Sequence, residues 1–183
     1  IFEYRPPISG EKQGNFEPIS KLVAPEKLQL ITYNSVYEIN NNSKINLELA
    51  TSKKDENLFS SIDDSDNTGF ASKVNYKSTN DILKSKIVTE IDINYMENNF
   101  RSIERIYNTE FNRDWDLTEN ILGNYNQLYS KGIIGLNNKK LGSLDYSFEN
   151  LNYKNYFNGV RNALSLISNQ KRNLRFNSNS SIM

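Results

Sequence analysis

Residues 45–76 decide the fold of this 183-residue chain; they read INLELATSK (45–53), KDENLFSSIDDSDNTG (54–69) and FASKVNY (70–76). In the first part Ile45, Leu47 and Leu49 alternate with polar residues, and the same alternation returns after the polar middle part. A period of two is typical of strands that bury one face. The stretch therefore predicts a β-hairpin with a long acidic tip.

The same alternation recurs along most of the chain. It is clearest over residues 82–95, where apolar residues are expected on one face and charged residues on the other; the expected apolar face is Leu83, Ile87, Thr89, Ile91, Ile93 and Tyr95. Further alternating stretches lie at 28–39 and 68–78 and from residue 117 onward, with no convincing crossover helix between them. Consecutive strands of this kind pair antiparallel. The sequence predicts an all-β fold, an antiparallel up-and-down meander of about eight strands that forms a barrel or a barrel segment.

The first 27 residues differ from the rest because they contain all four prolines. Proline removes a ladder donor and disfavours a central strand. We expect residues 1–27 to be an extended, proline-containing lead-in and residues 28–183 to be the meander, which could be part of a larger barrel. The first residue is Ile1, so we also expect the chain to be a processed form or a fragment.

The expected connections fall into two classes by length. Short turns are predicted near residue 40, at 79–81, at 137–138 and at 168–170, whereas long polar connections are predicted at 55–67 and 96–116. The second of these is ambiguous between an extended segment and a short helix, because Phe100, Ile103, Tyr107 and Phe111 fit either period. Short turns at one end and long loops at the other are typical of transmembrane barrels.

Composition excludes several kinds of site. The chain has 22 basic and 22 acidic residues, so it lacks the basic footprint of a nucleic-acid-binding protein. It has no cysteine and no histidine, which excludes disulfides, thiolate metal sites, histidine-ligated metals and histidine-dependent nucleophiles.

The acidic tip offers a candidate calcium site at Asp63, Asp64, Asp66 and Asn67, which precede Gly69. Calcium takes several oxygen ligands from a tight loop, and alternating carboxylates supply them. The twelfth position of an EF-hand pattern would need glutamate, but Asn75 stands there. The ordinary interpretation is a solvated loop with an Asx-type turn, and apart from this calcium we expect no cofactor.

A second candidate surrounds Trp115. Two converging carboxylates and an aromatic platform are what a glycoside hydrolase needs, and the carboxylates to draw on are Glu104, Glu110, Asp114 and Asp116. Arg105 and Arg113 could instead stack on the indole. The ordinary interpretation is that Trp115 anchors the end of a strand at a polar boundary.

Three segments resemble large, uncharacterised β-rich outer-membrane or surface proteins of Bacteroidota: Leu22–Pro25, the run from Asn57–Ser60 to Asp66–Gly69, and ERIYNTEFNRDWDL at 104–117. The resemblance covers about the middle two-thirds of the chain and implies part of a much larger exported polypeptide. Barrels of this kind usually end in an aromatic residue. Because this chain ends in SNSSIM, the resemblance implies that the barrel continues beyond Met183.

We therefore expect a non-catalytic outer-membrane or cell-surface β-barrel or β-sheet segment with a structural, transport or surface-assembly role. Its partners would be a lipid bilayer or a neighbouring sheet of the same polypeptide. One alternative is a self-contained eight-stranded barrel that binds a small apolar ligand in a cavity lined by residues such as Ile87, Ile91 and Tyr146. A second is a carbohydrate-binding or carbohydrate-active module that uses Trp115.

Overall fold

Eight antiparallel strands, each paired with the next one along the chain, form one sheet in the computed structural model. The strands are β1 (Lys27–Asn40), β2 (Ser43–Asp55), β3 (Thr68–Ile82), β4 (Ser85–Met96), β5 (Gln127–Asn138), β6 (Gly142–Tyr153), β7 (Phe157–Ser168) and β8 (Arg175–Ile182). The structure describes residues 3, 5–14, 23–62, 64–117, 125–169 and 174–182. The predicted antiparallel up-and-down meander of eight strands is confirmed.

The sheet is open. Its spatial order follows the chain from β1 to β8, and these two strands form its edges without pairing with each other. The eight strands are thus a sheet or a barrel segment, and they do not close into a barrel by themselves.

The sequence misplaced two turns. Thr79, Asn80 and Asp81, predicted as a turn, continue β3 and pair with Val88, Ile87 and Lys86. The chain reverses instead at Leu83–Lys84, where Leu83 has a φ of 55° and is fully exposed, so Leu83 does not share the apolar face of β4. Likewise Asn137–Asn138 ends β5, and the turn follows at 139–141. Polar residues favour turns locally, but at both places the cross-strand ladder continues through them.

Register places most of the large apolar strand residues on one side of the sheet. Ile45 of β2 is level with Tyr76, Tyr76 with Ile91, and the row continues to Gly132 and Phe148. We call this side the apolar face; its larger members include Tyr33, Ile45, Leu47, Leu49, Val74, Tyr76, Ile87, Ile91, Ile93, Ile134, Leu136, Leu144, Tyr146, Phe148, Leu164, Leu166 and Phe176. Much of it is uncovered: Ile91 is 42% and Tyr146 44% exposed.

The opposite side, which we call the polar face, carries most of the charged side chains of the strands. It also carries the buried core, which consists of Trp115, Leu151 and Tyr153 with partly buried aromatics around them. The core forms where the β4–β5 connection folds back over this face, and that connection contains the one-turn helix α1 (Phe111–Asp114). No helix among the described residues is long and apolar enough to cross a membrane.

Of the predicted lead-in, the described residues contain one isolated bridge, between Ile8 and Glu11, before β1 begins at Lys27. The alternation predicted at Ile121 and Gly123 lies outside the described residues. Tyr125 precedes β5.

Candidate functional site

Residues 97–117, which we call the rim loop, start at the end of β4 and cover one end of the polar face. Glu97 begins the loop by bonding Phe70 twice: its amide donates to the Phe70 carbonyl (2.9 Å), and its carboxylate accepts from the Phe70 amide (2.9 Å). The Arg101 amide then donates to the buried Ser52 hydroxyl at 2.8 Å. The Phe100 backbone passes directly over Gly69, where a Cβ atom would collide with it. These contacts tie the start of the loop to β2 and β3.

The far end of the rim loop inserts an aromatic cluster. Trp115 is 1% exposed and packs with Leu151 and Tyr153 of β6, while Tyr129 of β5 and Phe111 of α1 meet its ring edge-on or tilted at 6.3 and 6.4 Å. Gly159 of β7 leaves space for the indole, since a Cβ atom there would lie 3.0 Å from it. The cluster therefore joins the loop to three strands.

Between these two anchors, Tyr107 fastens the middle of the rim loop. Its ring stacks on Phe111 with centroids 3.9 Å apart, and its hydroxyl accepts a hydrogen bond from Nε2 of buried Gln127 at 2.5 Å. Burial raises the pKa of Tyr107 to about 12, an effect that the Gln127 hydrogen bond partly opposes. Tyr107 is thus held as a neutral phenol at neutral pH.

A hydrogen-bonded and charged row crosses the polar face beside the rim loop. Asn46 donates to Asn75 (3.1 Å), and Asn75 donates to Asp92 (2.7 Å). Farther along the same row, Glu149 pairs with Lys131 (2.8 Å) and Arg161 (3.8 Å). The row shows that this face is built for a wet or polar environment.

A cavity of about 540 Å³ lies between the rim loop and the sheet. Aromatic, amide and charged side chains line it, notably Glu48, Lys73, Asn94, Tyr107, Phe111 and Tyr129. Asn94 Oδ1 is buried and has no hydrogen-bond partner among the described residues; the same holds for Gln127 Oε1 and the Tyr153 hydroxyl. The cavity thus offers stacking surface and hydrogen-bonding groups. Of the described residues that line it, Glu48 alone has a carboxylate.

The acidic tip is a compact turn. Asp64–Asp66 form a 3-10 turn, and the side-chain amide of Asn67 donates to the Asp64 carboxylate at 2.9 Å, which is a contact between two side chains and not the backbone contact of an Asx-type turn. Asp63 lies outside the described residues. Within the described part of the chain, no three acidic side chains come together in a way that could hold a metal ion. Calcium at Asp63, Asp64, Asp66 and Asn67 stays a prediction.

The carboxylates near Trp115 serve other contacts. Glu110 and Asp114 both face Arg113, at 2.6 and 3.7 Å, on the exposed side of α1. Asp116 has a φ of 50° in the turn after the helix, and Glu104 is exposed with its carbonyl accepting from Ser102. Trp115 itself is buried and offers no open platform. Its cation partner is Arg161 of β7, 5.3 Å from the ring centroid, in place of Arg105 or Arg113.

The residues expected to line an apolar ligand cavity lie on the apolar face. Ile87, Ile91 and Tyr146 project from β4 and β6 on the side that the rim loop does not cover, and the open sheet does not enclose them.

Four residues that hold the rim loop on the sheet were not identified from the sequence, namely Gly69, Gly159, Gln127 and Arg161. Each acts through a residue distant in sequence, and a glycine or glutamine inside an alternating strand carries a weak signal. Gly69 and Gly159 did offer one hint, because glycine in a strand interior often marks close approach by another backbone or side chain.

Comparison with known proteins does not add to this picture. No protein-family model matches the chain, and no curated protein or solved structure matches it either.

Proposed function

We propose that this chain is a non-catalytic wall segment of an outer-membrane or cell-surface β-structure. Its apolar face would contact lipid, and its polar face would line an aqueous interior partly filled by the rim loop. The observation that carries the proposal is the pairing of one uncovered apolar face, continuous over eight strands, with a polar face that holds the charged rows and the loop.

The large exposed area of the apolar face supports the proposal that it contacts lipid. A soluble protein rarely exposes a contiguous apolar patch larger than a few hundred Å², yet here Ile31, Ile91, Ile134, Tyr146 and Phe176, on five of the eight strands, are each more than a third exposed. Single exposed apolar residues need no explanation, but a whole sheet face does. Hydrocarbon would remove this surface from water.

The polar face supports an aqueous interior. Lys131, Glu149 and Arg161 form ion pairs there, and the aromatic cluster of the rim loop packs against this side. Transmembrane barrels alternate apolar residues toward lipid and polar residues toward the lumen, and loops fill some of their interiors.

The connections support the same arrangement. The turns at 41–42, 83–84 and 139–141 are short and lie at one end of the strands, while the two long connections lie at the other end. The turn at 154–156 is the exception, since it is short and lies on the long-loop side. In hydrocarbon the edges of β1 and β8 would pair with each other or with further strands, because open edges do not occur there.

Two matched lysine substitutions in β4 test the lipid contact. Ile91 on the apolar face and Val88 on the polar face are similarly exposed, at 42% and 37%. We expect the full chain to float with phosphatidylcholine vesicles in a density gradient, Val88→Lys to float equally well, and Ile91→Lys to remain in the aqueous fraction. A lysine at the bilayer midplane costs about 2–4 kcal/mol.

The proposal is wrong if the unmodified chain stays in the aqueous fraction, or if both lysine variants float alike. A neighbouring sheet of the same polypeptide is the other candidate for covering the apolar face. In that case the chain would not bind to vesicles. Its apolar face would lack the neighbouring sheet, and the chain would self-associate in solution.

A further inference from the structure

The apolar band on the apolar face runs diagonally across the strands. On β2 it consists of Ile45, Leu47 and Leu49, and on β6 of Leu144, Tyr146 and Phe148. Following the register from strand to strand, Ile45 at the turn end of the first triplet is level with Phe148 at the loop end of the second. The two triplets are therefore displaced by four residues along the strand direction.

This displacement gives the inclination of the band. Four residues of strand rise about 13 Å, and four strand-to-strand spacings from β2 to β6 span about 19 Å. The band thus departs by about 35° from the perpendicular to the strands. Strands of membrane barrels are tilted by about 35–45° from the barrel axis, so that a level hydrocarbon layer cuts them along such a diagonal.

Two polar corners lie on opposite sides of the band. At the long-loop end of β6 and β7 the apolar face carries Asn150, Asn152 and Asn158, where Asn150 donates to Asn158 (3.0 Å) and to the Gly159 carbonyl (3.2 Å). At the turn end of β2 and β3 it carries Ser43, Ser78 and Asn80, joined by hydroxyl and amide hydrogen bonds of 2.8 Å. Both corners consist of amide and hydroxyl side chains, which favour water or headgroups over hydrocarbon.

The width of the band also fits. On β2 the bordering residues are Ser43 and Thr51, and on β6 they are Gly142 and Asn150, with the same spacing on both strands. That spacing corresponds to about 27 Å along a strand, or about 22 Å across a band inclined at 35°. Outer-membrane barrels have an apolar band about 25 Å tall.

From this geometry we infer that the partner of the apolar face is the hydrocarbon layer of a bilayer, with the strands inclined at about 35° to its normal. The inference rests on the proposed function and adds the orientation. It assigns the asparagine corner to one headgroup region and the serine corner to the opposite one. Leu49 lies in hydrocarbon although it is level in register with Asn152, and Tyr146 lies in hydrocarbon although it is level with Ser43.

Depth measurements at these two level pairs test the inference. The chain has no cysteine, so four variants, Leu49→Cys, Asn152→Cys, Ser43→Cys and Tyr146→Cys, each accept one nitroxide label. In phosphatidylcholine vesicles we expect labels at 49 and 146 to collide several-fold more with oxygen than with a water-soluble nickel chelate. Labels at 152 and 43 should show the reverse. Lys73→Cys on the polar face is the aqueous control, and Trp115 fluorescence reports whether each variant retains the aromatic cluster.

The outcomes separate the two proposals. Equal, lipid-like accessibility within each pair would mean that the sheet stands upright, which overturns the inclination but leaves the lipid contact. Lipid-like labels at 152 and 43 with aqueous labels at 49 and 146 would overturn the inclination by reversing it. Aqueous accessibility at all four positions would overturn the proposed function together with the inclination.

Discussion

The guanidinium carbon of Arg161 lies 5.3 Å from the centroid of the Trp115 ring. Trp115 ends the one-turn helix of the rim loop, and Arg161 belongs to β7, three strands away from the strand that begins the loop. The contact therefore closes the loop over β5 and β6. Glu149 of β6 faces the same guanidinium at 3.8 Å, so the arginine links the aromatic cluster to the charged row.

A double-mutant cycle measures the coupling between these two residues. Arg161→Met keeps the aliphatic stem and removes the charge, and Trp115→Phe keeps an aromatic ring with a weaker face. We expect a coupling free energy of about 0.5–1 kcal/mol, because Arg161 is partly exposed. Urea unfolding followed by circular dichroism gives the four stabilities, and strictly additive values would contradict the contact.

Glu149 is the acidic centre of the charged row, with Lys131 at 2.8 Å and only 18% of its side chain exposed. Glu149→Gln leaves two cations facing a neutral amide, so we expect a loss of about 1–3 kcal/mol in the free energy of unfolding. Asp81→Asn is the control, since Asp81 is 75% exposed and lies 3.9 Å from Lys86. Its effect should stay within about 0.5 kcal/mol. Equal effects in urea unfolding would refute a special role for Glu149.

The sheet could be predicted because its signal is local. Alternation assigns Ile45, Leu47 and Leu49 to one face without any knowledge of the partner strand, and consecutive alternating stretches without helices leave few topologies besides a meander. The prediction of a turn at residues 79–81 was wrong for the same reason. Local turn propensity was visible there, but its competitor, the pairing of Asn80 with Ile87, was not.

The rim-loop site could not be predicted in this way. Ser52 and Arg101 are 49 residues apart, and nothing near either residue specifies the other. Trp115 was recognised as an anchor, yet its burial depends on space left by Gly159 and on a cation from β7. Such contacts follow from register over several strands, which a single sequence does not determine.

The raised pKa of Tyr107 predicts that the free energy of unfolding falls in alkaline solution. Burial raises its pKa in the folded chain to about 12, above the value of about 10 in an unfolded chain. The contribution of the neutral phenol to the free energy of unfolding is therefore fully present below about pH 10. About 2–3 kcal/mol of that free energy is lost as the pH rises to about 12. Tyr107→Phe cannot ionise, so its stability should fall less over that interval. Parallel urea titrations of both proteins test this, and identical pH dependence would contradict it.

A substitution at Gly69 tests how closely the rim loop packs against β3. The Phe100 backbone lies where a Cβ atom of residue 69 would stand, so Gly69→Ala must move the loop or β3. Overpacking of this kind costs about 1–3 kcal/mol. Because the loop carries Trp115 into the aromatic cluster, we also expect the tryptophan emission to shift toward that of an exposed indole.

Gly132→Ala is the matched control for that substitution. Gly132 also lies within a strand, on the apolar face, and no described atom comes within 4 Å of its Cβ position. Alanine there should leave the emission unchanged and raise the free energy of unfolding by up to about 1 kcal/mol, since glycine in a strand interior is the less stable residue. If Gly69→Ala matched this control in both measurements, the loop would not be held against β3. The rim loop would then be held to the polar face by Tyr107 and the Trp115 cluster.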